Sequence, residues 1–266
     1  MVFNRLFCFI VFFSVARLCP AEDFHPFDGP QPLLVAIETD PWAMVLGSDS
    51  PRVAIYENGD VIFVRGSGAG QAYYFTRLAP NELNGLLLQA KTALVGQGLK
   101  HRYDLGSATD MPMAKFYFHD SGTSVATEVY GLDCLPPNRF QRKSGSGMPP
   151  QSLLDLNKSL CSLDFANSKK WVPRYVEVMM WDYGYAPGPS AFWPKDWPGL
   201  NSPRTIKRGD AYSIFLDGTM LPKLQSFLRG IGQKSATVID RRKMAVSYRY
   251  PFPSEPIWSK AFQSIE

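Results

Sequence analysis

The sequence predicts an α+β protein of mostly antiparallel sheet, with one helix packed per unit and two units that read as related ββαββ-like halves. Three observations predict it. An Asn58-Gly59 pair sits between two apolar runs of strand character, a strong short-range hairpin signal because the tight turn needs a residue that tolerates positive φ. Two leucine-spaced helical segments each follow an aromatic strand, QAYYFTRLAPNELNGLL and DAYSIFLDGTMLPKLQSFL, an internal likeness of the kind a duplication leaves. Hydrophobic residues make up 45% and aromatic residues 14% of the 266-residue chain, enough for a buried core and too much for a disordered one.

Residues 1–21 read as an export signal. Arg5 is the basic start, Leu6 to Ala16 is an apolar run closed by Arg17, and that run is shorter than the ~20 residues a membrane-spanning helix needs. Cleavage after Ala21 places small residues, Cys19 and Ala21, where a signal peptidase inspects them. The expected location is secreted or periplasmic, without a transmembrane anchor after cleavage. Lipid attachment at Cys19 is the less favoured alternative, because Arg17 and Leu18 break its small-residue pattern. Loss of the signal takes Arg5 and Arg17 and lowers the formal charge from +4 to +2, too balanced to imply nucleic acid. It also leaves two cysteines, Cys134 and Cys161, in a compartment where disulfides persist. One bridge is the natural expectation; the alternatives are two free thiols or a reactive nucleophile.

Residues 22–32 are a proline-rich lead-in. The N-terminal unit, 33–132, begins with the apolar run Leu33 to Glu38, then the hairpin of Arg52–Tyr56 and Asp60–Arg65, a glycine-rich turn over Gly66–Gly70, and an aromatic strand Gln71–Arg77. Pro80 suits a first helical turn, and Leu83, Leu87, Ala90 and Leu94 recur at helical spacing, so 80–95 is expected to be an amphipathic helix stopped at Gly96. Met113 to His119 alternates, with Ala114, Phe116 and Phe118 expected toward the core and Lys115, Tyr117 and His119 toward solvent. Asp120-Ser121-Gly122 turns into Thr123–Tyr130. The order implies a sheet with a helix on one side.

A linker with a short helix spans 133–170: prolines and glycines crowd 136–150, and Leu153, Leu156, Leu160 and Leu163 mark the helix that brings Cys161 toward Cys134. The C-terminal unit, 171–266, carries strands at Tyr175–Trp181 and Tyr212–Leu216. A helix follows, capped by Thr219 and ended by Gly230, then a hairpin of Ala236–Asp240 with Lys243–Tyr250.

Catalytic signatures are absent. There is no G-x-S-x-G elbow, Walker sequence or H-E-x-x-H pair, and the Gly66–Gly70 run leads into a strand rather than the helix that a phosphate-cradling loop requires. His101, Asp104, Asp110, His119, Asp120 and Glu128 form the densest ionisable set, the region a hydrolase or metal site would use. Their irregular spacing assigns no catalytic residue and no metal or other cofactor. The stretch 181–198, WDYGYAPGPSAFWPKDWP, is the most unusual: aromatic rings on a proline-stiffened loop can stack on a sugar, a peptide or an apolar partner at low entropic cost. Trp181, Tyr183, Tyr185, Trp193 and Trp197 are therefore the candidate ligand-binding residues. The competing reading makes these rings a small core beneath the loop. Arg204, Lys207, Arg208, Arg241, Arg242 and Lys243 add basic runs of the sort that are usually solvated turns.

The run AIYENGDVIF, the helix entered through Leu78-Ala79-Pro80, and Ala108-Thr109-Asp110-Met111-Pro112 before MAKFYFHDSG resemble a group of uncharacterised exported bacterial proteins. Ala79 stands where that group usually has a serine cap. YVEVMMWDYGYAPGPSAFWPKDWPGL, RGDAYSIFL and VSYRYPFPSEPIW resemble their C-terminal half. The resemblance implies compartment and fold and transfers no catalytic residue. The expected function is non-enzymatic binding, of a cell-wall glycan, a peptide or an envelope protein, with a hydrolase or metal-binding enzyme and a purely structural envelope component as alternatives.

Overall fold

The computed structural model describes residues 24–42, 49–66, 71–95, 99–134, 147–232 and 234–264. The expected export signal over 1–21, most of the Gly66–Gly70 turn, the helix stop at Gly96 and the 136–146 part of the connector lie outside them. The fold is α+β, with two mostly antiparallel sheets and four α-helices among the described residues.

The first sheet contains β1 (Pro32–Thr39), β2 (Val53–Tyr56), β3 (Asp60–Arg65), β4 (Ala72–Arg77), β5 (Arg102–Asp104), β6 (Met113–Asp120), β7 (Thr123–Tyr130) and β8 (Lys169–Lys170), in the order β5-β7-β6-β1-β2-β3-β4-β8. Its hairpins follow from local chemistry. Gly59 has φ +83°, and a Cβ there would lie 2.8 Å from the Leu78 carbonyl oxygen, so both backbone and space demand glycine. Ser121 (φ 50°) and Gly122 (φ 84°) form the two-residue turn between β6 and β7, where Asp120 pairs with Thr123.

Helix α1 (Pro80–Leu94) has no capping side chain at Ala79, but the Glu82 carboxylate accepts the Ala79 amide at 2.9 Å and supplies half of a capping box. With α2 (Gln151–Cys161), it covers one face of the sheet, burying Leu34, Ile55, Phe63, Phe116, Phe118 and Leu153. The Cys134–Cys161 disulfide is formed, with Cα atoms 5.4 Å apart. It ties the end of α2 to the segment after β7.

The opposite face is covered as well, which corrects the expectation of a one-sided sheet. Helix α4 (Glu255–Gln263) lays Trp258 and Phe262 on Val35, Ile37, Tyr56 and Tyr117. Tyr117, expected to face solvent, is therefore 1% exposed. Two buried faces also explain why β1 reads as the unbroken run Leu33 to Ile37 rather than as an alternation. The helix left a signal that went unread: Ser254-Glu255-Pro256 at the start, then Trp258 and Phe262 four apart.

The second sheet contains β9 (Tyr175–Asp182), β10 (Ala191–Phe192), β11 (Thr205–Arg208), β12 (Ala211–Asp217), β13 (Thr237–Ile239) and β14 (Arg242–Arg249), in the order β10-β13-β14-β9-β12-β11. Helix α3 (Leu221–Arg229) packs on one face through Leu224, over Val178, Ile214, Leu216 and Met244. Thr219 does not cap this helix. It lies inside a 3-10 turn, Gly218–Met220, that continues into α3.

The likeness between the two strand-then-helix segments does not extend to topology. Strand β4 lies three places from β1, whereas β12 is the direct neighbour of β9. The two sheets meet through aromatic edges: Tyr73, Trp171, Tyr250 and Phe252 pack with ring centroids 4.9–6.1 Å apart. Nearby, Arg249 bridges Glu177 of β9 and Glu255 of α4 at 2.6 Å each, and all three side chains are about one-tenth exposed or less. Burial alone would lower the Arg249 pKa, but the two carboxylates outweigh it and hold the guanidinium above its usual value.

Candidate functional site

The aromatic stretch that follows β9 is an ordered strap pinned along the edge of the second sheet. Gly188, Ala191 and Trp193 donate their amides to the carbonyls of Lys234, Ala236 and Val238 at 2.9–3.0 Å. Ala186 and Trp197 close local turns onto Tyr183 and Pro194. With its backbone satisfied in this way, the strap holds its rings in fixed places.

Those rings separate into two groups. Trp193 is 7% exposed, donates its indole N–H to the Pro198 carbonyl at 3.0 Å, and meets Trp197 and Phe227 edge-on at 4.9 and 5.6 Å. Trp193 and Trp197 thus belong to the core over α3. Trp181, Tyr183 and Tyr185 instead line a cleft of ≈ 440 Å³, within the size range of small-ligand sites. Tyr185 is 81% exposed and stands edge-on to Tyr183 at 5.0 Å.

The other side of the cleft comes from α3 and the final hairpin: Leu228 and Ile231 at the end of the helix, Thr237 of β13, and Tyr248 of β14. Tyr248 is fixed by Gln225, whose Nε2 donates to its hydroxyl at 3.0 Å. Thr237 is 1% exposed, and its hydroxyl has no hydrogen-bond partner. An unpaired buried hydroxyl typically costs about 1–3 kcal/mol. Ser235 and Ser247 supply further hydroxyls, and among the described residues no Asp, Glu, Lys, Arg or His lines the cleft. Its chemistry is therefore aromatic faces plus hydroxyls, able to stack on and hydrogen-bond an uncharged ligand.

Sequence reasoning finds three of these residues, Trp181 at the end of β9 and Tyr183 and Tyr185 in the strap. It misses Thr237, Tyr248 and Leu228, which read only as strand and helix positions, and Ile231, which falls in no expected element; all four meet the aromatic rings through tertiary packing.

The ionisable set around His101 does not converge. His101 and Asp104 are exposed at β5, Asp110 is exposed in a turn with φ 58°, and His119 Nδ1 lies 3.0 Å from the Ser124 hydroxyl. Asp120 is held below the usual carboxylate pKa by its hydrogen bond with Lys91. Glu128 is buried between Arg102 at 3.2 Å and Lys115 at 3.5 Å. Among the described residues, no group of three or more His, Cys, Asp or Glu is placed to hold a metal ion.

A second cleft, of ≈ 330 Å³ beside β1 and β2, is charged, with Glu38, Asp40, Arg52 and Tyr73 in its lining. Burial raises the Glu38 pKa despite Arg52 at 3.9 Å, and burial likewise raises that of Asp49, which accepts the Asp40 amide at 3.3 Å. Arg52 is held in place by the Cys161 carbonyl at 3.4 Å.

Three of the basic residues singled out near the second sheet are tied into local pairs: Arg204 to Asp217 at 2.8 Å, Arg208 to Ser213 at 3.0 Å and Arg242 to the Tyr212 hydroxyl at 2.7 Å. Among the described residues, no helix is long and apolar enough to cross a membrane. Compared with known proteins, the chain matches no family model, no curated protein and no solved structure.

Proposed function

We propose that this protein is an exported binding protein of the periplasm or the extracellular space, and that it takes an uncharged ligand in the cleft between the aromatic strap and β14. The observation that carries this reading is a ≈ 440 Å³ cleft walled by Trp181, Tyr183, Tyr185 and Tyr248, with no Asp, Glu, Lys, Arg or His among the described residues of its lining and an unpartnered Thr237 hydroxyl in its wall. Rings held by a bonded backbone lose little entropy on stacking, and a stranded hydroxyl gains a partner when a polar ligand enters. The Cys134–Cys161 bridge supports an oxidising compartment, in keeping with the export signal expected at 1–21.

Tryptophan fluorescence, with acrylamide as quencher, tests this against a panel of neutral cell-wall glycans and uncharged peptides. A ligand is expected to protect Trp181, and the response should vanish in Trp181→Ala while persisting in Trp193→Phe. Thr237→Val should weaken binding yet leave the fold equally or more stable, by about 1 kcal/mol, because it removes an unsatisfied buried hydroxyl. A response retained in Trp181→Ala, or none from any ligand, would refute the cleft as the binding site.

A further inference from the structure

The cleft runs along an open stretch of sheet edge. Strand β14 pairs with β9 along its length, from Met244↔Asp182 to Arg249↔Glu177. On its other side it pairs with β13 over Arg242, Lys243 and Met244 alone. Before Thr237 the chain turns away, with the Ser235 amide donating back to the Gly232 carbonyl at 3.0 Å.

The hydrogen-bond phase of β14 follows from one contact, the Tyr183 amide donating to the Lys243 carbonyl at 2.9 Å. In an antiparallel pair, alternate residues direct both backbone groups to the same neighbour. Lys243, Ala245 and Ser247 therefore bond to β9, while Val246 and Tyr248 direct their N–H and C=O groups to the side that β13 leaves empty. No described strand occupies that side.

The two faces beside this edge also differ. By register, Ala245 lies opposite Trp181 on one face, and Val246 and Tyr248 lie on the face that carries Met244 and α3. A strand placed beyond β13 would alternate its side chains between the Trp181, Tyr183 and Tyr185 rings on one side and Leu228 and Ile231 on the other.

Resting on the binding function proposed above, we infer that the ligand is an extended, uncharged peptide segment that adds to β14 antiparallel, continuing the line of β13. Main-chain bonds to Val246 and Tyr248 supply affinity, and the two side-chain walls supply selectivity. The described lining holds no Asp, Glu, Lys, Arg or His and so selects for the absence of charge in the bound residues, since a charge entering it would lose its hydration without gaining a counter-ion. A glycan could stack on the same rings but has no alternating amide pattern to offer the edge.

The test uses the mature protein, a pool of capped hexapeptides of uncharged residues, and a panel of neutral oligosaccharides. Binding is read by tryptophan fluorescence, and residue-level amide hydrogen exchange reports the edge. A peptide from the pool should slow exchange at Val246 and Tyr248 by about tenfold or more while leaving Ala245 and Ser247, already bonded to β9, little changed. N-methylating the peptide amides that face β14 should weaken binding about tenfold per amide, with side chains unchanged.

Peptide binding without protection at Val246 and Tyr248 would overturn strand addition while leaving the cleft as a binding site. So would binding by the oligosaccharides alone. A cleft silent to both sets would overturn the binding function and the strand addition together.

Discussion

Strands β1 and β14 are both interior strands, but their neighbours treat them differently. β1 pairs with β2 over Pro32–Ala36 and with β6 over Leu34–Thr39, whereas β14 has β9 along one side and only three residues of β13 on the other. The first sheet is also covered on both faces by apolar side chains. The second places a mixed aliphatic and aromatic core on one face and, on the other, the Glu177–Arg249–Glu255 bridge beside Phe215. The contrast teaches that a strand's apolar content does not decide whether its edge is available. The length of its neighbour does, and here the neighbour is short because the chain before Thr237 turns away, with the Ser235 amide donating back to the Gly232 carbonyl.

The largest effects should come from the doubly covered sheet. Phe116→Ala and Tyr117→Ala lie on opposite faces, both about 1% exposed, and each should cost about 3–5 kcal/mol in chemical denaturation. A Tyr117→Ala loss below about 1 kcal/mol would mean that α4 contributes no second core.

In the second sheet, Arg249→Met removes the guanidinium shared by two buried carboxylates, leaving Glu177 with the Ser213 hydroxyl at 2.6 Å and Arg208 at 3.5 Å and Glu255 with the Phe252 amide at 3.2 Å, and should cost about 3 kcal/mol. Arg204→Met breaks an exposed pair with Asp217 and should cost less than about 1 kcal/mol. Equal losses in these two variants would deny the buried bridge its special place between the sheets.

The smallest effect is a pH-dependent one in the charged cleft. Burial raises the folded-state pKa of Glu38 above its ordinary value, so the folded chain binds that proton more tightly than the unfolded chain. Stability contributed here therefore falls as pH rises from the unfolded to the folded pKa, and the whole cost is present above the folded value. Glu38→Gln should be slightly more stable than the parent at pH 7 and show no gain below about pH 4. Thermal unfolding at the two pH values measures it. A variant less stable at pH 7 would mean that the Arg52 contact outweighs burial.

Local signals carried much of the fold. The Asn58-Gly59 hairpin, the 80–94 helix, the β6–β7 hairpin and the disulfide all rest on residues close in sequence or on few alternatives, and the structure contains each of them. The short strands β5, β8, β10 and β11 were not legible, because two to four residues leave no periodicity to read. The aromatic stretch divides in two: Trp193 and Trp197 join a core beneath the loop, while Trp181, Tyr183 and Tyr185 line a cleft. Composition cannot separate Trp193 from Trp181, since what differs is the α3 surface waiting beneath one of them.

By itself, then, the sequence determined the α+β class, the placement of its main hairpins and helices, and the cysteine pair, because turn geometry, helical spacing and a count of two thiols act locally. Only the tertiary structure decided that Tyr117 is buried, that three of five aromatic candidates face a cleft, and that β14 keeps an open edge there. Each of those depends on the course of another segment: α4 over Tyr117, α3 beneath the rings, and the turn before β13 for the edge.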